Sequence, residues 1–78
     1  MTMIPRDEVQ NVLDCFDDVK SERIMAIMVQ IREKLKTDIT KDYLDGKMQG
    51  IKDAATEDEK KNLCKTLIPY IEWYLQGN

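Results

Sequence analysis

Seventy-eight residues and 9.1 kDa allow one domain at most, near the size where a single core only just outweighs conformational entropy. At 42% hydrophobic and 35% charged residues, the composition excludes both a disordered chain and a membrane-embedded one. A net charge of −3 repels phosphate at long range and disfavours nucleic acid as a partner unless basic residues are segregated on one face.

Four segments carry the 3.6-residue apolar repeat and none alternates strictly, so the chain reads as all-α. The first helix is expected over 7–19. Pro5 precedes it, the Asp7 carboxylate and Gln10 suit a capping box, and Val9, Val12, Leu13, Phe16 and Val19 form one stripe. Ser21 is the expected N-cap of a second helix over 22–37, with Glu22 near the positive end of its dipole. Ile24, Ile27, Met28, Ile31 and Leu35 make its main stripe, and Met25 and Val29 add a second apolar edge. That width predicts a central helix, or one whose second edge meets another copy in a homodimer.

Thr40 is the expected cap of a third helix over 41–54, which presents Tyr43 or Leu44, then Met48, Ile51 and Ala55. Gly46 and Gly50 each cost about 0.8 to 1.0 kcal/mol relative to alanine inside a helix. They therefore predict a break near Gly46 or a close approach by a neighbouring backbone. Thr56-Glu57-Asp58-Glu59 opens a fourth helix over 57–76 with a capping box, followed by Leu63, Cys64, Leu67, Ile71, Tyr74 and Leu75. Pro69 removes a backbone donor within that run, which predicts a kink at 66–68 or a restart with Pro69 in the first turn; Gly77 suits the C-terminal cap. The expected architecture is a compact, mainly antiparallel four-helix bundle forming a single domain over residues 1–78, with its last helix kinked at Pro69.

The chemistry-bearing residues are sparse. There is no histidine, and two isolated cysteines, Cys15 and Cys64, cannot make a tetrahedral zinc site. Both are read as free thiols acting as small hydrophobes, rather than as a Cys15–Cys64 bridge. Asp14, Asp17 and Asp18 lack the glycine and spacing of a calcium loop and read as a solvated face. No nucleotide-binding glycine loop or activated nucleophile is present, so neither a cofactor nor an enzymatic activity is expected. Lys20-Ser21-Glu22 departs at both neighbours from the Asp-Ser-Leu attachment motif of acyl carrier proteins, and histidine phosphotransfer modules require the missing histidine. The longest apolar run, Ile24 to Val29, falls far below the roughly 20 residues of a membrane span. No signal sequence is evident, so an intracellular, cytoplasmic protein without membrane contact is expected.

The remaining signal is aromatic. Helical geometry turns Trp73 roughly 130° from the centre of the Leu67–Ile71 stripe, with Tyr70 at its edge, so Pro69, Tyr70 and Trp73 are expected to form a partly exposed patch. Tryptophan and tyrosine dominate protein interfaces because they remove much apolar area from water while losing few rotamers. The competing expectation makes Trp73 a lid over the end of the first helix or over Met1 to Ile4. Charge is uneven. Residues 5–20 carry Asp7, Glu8, Asp14, Asp17 and Asp18 against Arg6 and Lys20, whereas 21–37 carry Arg23, Arg32, Lys34 and Lys36 against Glu22 and Glu33. The resulting expectation is a non-catalytic module, a subunit, adaptor or inhibitor, that binds another protein through Tyr70 and Trp73. In that reading Asp14, Asp17 and Asp18 steer a partner with a basic surface. Two alternatives are a nucleic-acid binder using Arg23, Arg32, Lys34, Lys36 and Lys41, and an acidic mimic of nucleic acid using the three aspartates.

Overall fold

A computed structural model describes residues 4–77. Among them the fold is all-helical: α1 (Arg6–Asp14), a 3₁₀ turn (Phe16–Asp18), α2 (Ser21–Arg32), α3 (Asp38–Asp53), α4 (Glu57–Lys65) and α5 (Ile68–Leu75). α2 packs against α3, α4 and α5, while α1 lies on α5 and α3 on α4, so α2 holds a central position, one of the two readings its wide apolar arc allowed. One core joins Val9, Val12 and Phe16 to Ile24, Ile27, Met28, Ile31 and Leu35 of the α2 segment. Leu44, Met48 and Ile51 of α3, with Cys64, Leu67, Ile71 and Tyr74, complete it.

The helix boundaries differ from the sequence expectation for identifiable reasons. α1 stops at Asp14 because Asp14, Asp17 and Asp18 place negative charge at the negative end of a helix whose last turn has no basic residue. The 3₁₀ turn then keeps Phe16 in the core, and the Lys61 ammonium donates to the Val19 carbonyl and, alongside the Val19 N–H, to the Phe16 carbonyl. Pro5, not Asp7, occupies the N-cap of α1 and makes no side-chain cap; Gln10 donates instead to Asp14 at 3.1 Å. Ser21 is the first residue of α2 and not its cap. Its N–H and hydroxyl both donate to the Glu57 carboxylate, at 2.7 and 2.8 Å, so α4 caps α2 from across the fold.

α2 ends at Arg32 rather than at 37, and its exit tightens through Lys34 N–H to the Ile31 carbonyl and Leu35 N–H to the Arg32 carbonyl. Thr37, not Thr40, caps α3, accepting the Thr40 N–H on its hydroxyl at 3.3 Å. A side chain committed to starting the next helix cannot continue the previous one. α3 then runs unbroken through Gly46 and Gly50. A Cβ at either position would meet nothing within 4 Å, so these glycines neither break the helix nor admit a close neighbour. Leu44 rather than Tyr43 enters the core, and Ala55 is exposed beyond the helix end.

Thr56 caps α4 by accepting the Glu59 N–H at 3.1 Å, and the Glu59 carboxylate accepts from Ala55 N–H at 3.2 Å, a capping box displaced by one residue. The fourth expected helix divides at Thr66–Leu67, with Pro69 in the first turn of α5, where its missing N–H leaves no helical bond unmade. The described residues therefore form five α-helices instead of the four expected. Gly77 follows α5 with a φ of 98°, the left-handed conformation that glycine adopts without strain, and its N–H reaches the Tyr74 carbonyl at 3.3 Å. No helix of the described residues is long and apolar enough to cross a membrane.

Candidate functional site

The break at 66–67 and the early end of α2 together create a depression. Leu35 and Lys36 after α2, Thr37 and Thr40 at the start of α3, and Pro69, Tyr70 and Trp73 of α5 line about 400 Å³ of space open along one side to solvent. Within α5, Ile71 and Tyr74 take the core face, which leaves Tyr70 and Trp73, three residues apart, on a common flank. Both are half-buried, packed against the core at their bases and facing the depression.

Two local features keep the wall apolar. The Thr40 hydroxyl donates to the Thr37 carbonyl at 2.9 Å, and the two hydroxyl oxygens lie 2.8 Å apart, so the threonines satisfy one another. Burial and the neighbouring Tyr43 both push the Tyr70 phenol above its usual pKa and keep it neutral. Elsewhere on α3, Ile39 is 82% exposed and Tyr43 59%, with the Lys47 ammonium 5.5 Å from the Tyr43 ring centre.

The structure brings Tyr70 and Trp73 together as the sequence suggests, but it places Asp14, Asp17 and Asp18 elsewhere. The three aspartates are exposed at the end of α1 and in the 3₁₀ turn, beside the Lys61 anchor, and none lines the depression. The one charged residue that does line it is Lys36. Of the proposed lid contacts, the Met1–Met3 part of Met1 to Ile4 lies outside the described residues. Ile4 itself is held by Gln30, accepting the Gln30 amide N–H at 2.9 Å and donating to its oxygen at 2.6 Å.

The basic residues considered for nucleic acid are partly committed. Arg23 pairs with Glu8, and Arg32 makes two bonds to Asp45, at 2.6 and 2.9 Å, that tie α2 to α3. The hydrogen bonds from Arg32 hold the Asp45 carboxyl below the usual carboxylate range, and those from Ser21 do the same for Glu57. Both shifts are those of anions kept charged by donors within the fold. Among the described residues no cluster of His, Cys, Asp or Glu could hold a metal ion.

The cysteines divide. Cys64 sits fully in the core, where burial pushes its thiol up, whereas Cys15 is exposed at the end of α1 and is not the core hydrophobe expected. On α2, Met25 is half-buried against the core and Val29 is 51% exposed.

No protein-family model, curated protein or solved structure matches this chain. The groove walls Leu35, Thr37 and Thr40 escape sequence reading because they lie 29 or more positions from Pro69 along the chain. The one available signal was the Thr37-x-x-Thr40 spacing, which marks a helix start and hence the end of α2.

Proposed function

We propose that this protein is a non-catalytic interaction module, a small subunit, adaptor or inhibitor, that binds a partner protein in the groove flanked by Tyr70 and Trp73. The supporting observation is the apolar depression itself: its aromatic wall is half-buried and its hydroxyls are bonded among themselves. Such a surface gains by shedding water onto an apolar partner and loses little hydrogen bonding in doing so. The acidic trio stands apart from the groove, and the reading does not depend on it.

Affinity capture with the wild type, Trp73→Ala and Tyr70→Ala tests the proposal, with circular dichroism establishing that each variant is folded. Loss of the same partner in both variants is the expected result. Equal recovery of every partner by folded variants removes the groove as the binding site.

A further inference from the structure

The groove carries charge of one sign. Lys36 is the single charged residue of its lining, and it forms no ion pair or hydrogen bond with any described residue. By contrast, Arg23, Arg32 and Lys61 are each bound to an acceptor within the fold. An unengaged ammonium beside an apolar wall favours a ligand that brings a carboxylate next to its apolar group, and disfavours one that brings a cation.

The space of about 400 Å³ is open on one side, which suits side chains inserted from a protein surface better than an enclosed small molecule. We infer that the groove selects a partner segment presenting apolar anchors flanked by Asp or Glu, with Lys36 meeting the carboxylate. This inference rests on the groove being the binding site. It reverses the sequence expectation of a basic partner, because the acidic trio that suggested one lies outside the groove.

Trp73 is the only tryptophan of the chain and reports on its own groove. Two short amphipathic peptides serve as probes, each with two leucines one helical turn apart, one flanked by glutamates and its twin by lysines. At low salt the glutamate peptide is expected to change Trp73 emission saturably and to bind about fivefold more tightly than the lysine peptide. Lys36→Glu, an exposed substitution, inverts that order, and Tyr70→Ala weakens both peptides.

Equal affinity of the two peptides for both wild type and Lys36→Glu overturns the charge selection and leaves the groove reading standing. Saturable binding by neither peptide, or binding that folded Tyr70→Ala leaves intact, overturns the groove reading along with it. Emission that shifts with the protein's own concentration, with no peptide present, replaces the acidic segment by a second copy.

Discussion

The two ends of α2 solve the same problem in opposite ways. At its N-terminus, Glu57 accepts from Ser21, and nearby Lys61 closes the carbonyls of Phe16 and Val19, so polar groups from α4 seal that end. About 18 Å away along the helix axis, the chain leaves α2 through tight turns, and the Thr37 and Thr40 hydroxyls bond within their own turn. What α5 supplies at that second end is Pro69, Tyr70 and Trp73. Long-range polar caps close one end, whereas local caps leave apolar walls exposed at the other.

The sharpest way to break this contrast is Trp73→Ala. At the groove end the expected loss is at least about 2 kcal/mol of partner binding, measured by titration, since the substitution removes the largest aromatic wall. Binding unchanged in a folded variant would make both ends structural. At the sealed end, Lys61→Met keeps the stem against the Phe16 ring, 4.8 Å from the ammonium, but removes the donor. The Val19 carbonyl then loses its partner and the Phe16 carbonyl keeps only the Val19 N–H, and urea denaturation is expected to show a loss of about 1 to 3 kcal/mol, with peptide binding at the groove unaffected.

Ser21→Ala, at a position only 4% exposed, removes one bond to Glu57 and is expected to cost about 1 kcal/mol in the same measurement. The Glu57 carboxyl also makes that end acid-sensitive. Because its folded pKa lies below the ordinary value of 4.5, its stabilisation is complete above that value and disappears as pH falls through the lowered one. Glu57→Gln should therefore flatten the fall in melting temperature between pH 5 and pH 2, while Lys36→Glu should not flatten it. The smallest effects lie away from both ends. Gly46→Ala and Gly50→Ala place a methyl in open space on the exposed side of α3 and should each stabilise by about 0.5 to 1 kcal/mol in the same urea measurement.

The Gly46 and Gly50 result shows where sequence reading stops. Their helix cost is visible in the sequence, but nothing local reveals that Leu44, Met48 and Ile51 bury enough to carry α3 through them. Leu63 is similar: it continues the apolar stripe yet is 39% exposed, because the chain reorients at Thr66–Leu67 and Cys64 takes the core position. Of the candidate site, Tyr70 and Trp73 were legible because helical phase alone places them off the buried stripe. Lys36 was visible only as one of the basic residues that could meet nucleic acid. Its role at a groove depends on α5 folding back over residues 35–40.

By itself the sequence determined the all-α class, the interruption before Pro69 and most of the apolar residues that meet in the core. Each follows from periodicity, proline chemistry or capping, which act over a few residues. Tertiary structure alone decided that Glu57 caps α2, that Lys61 closes the turn after α1, and that the aromatic pair faces Lys36 rather than the acidic trio. Those pairings join residues far apart in the chain, and which polar groups meet depends on how the helices pack, a quantity no local pattern encodes.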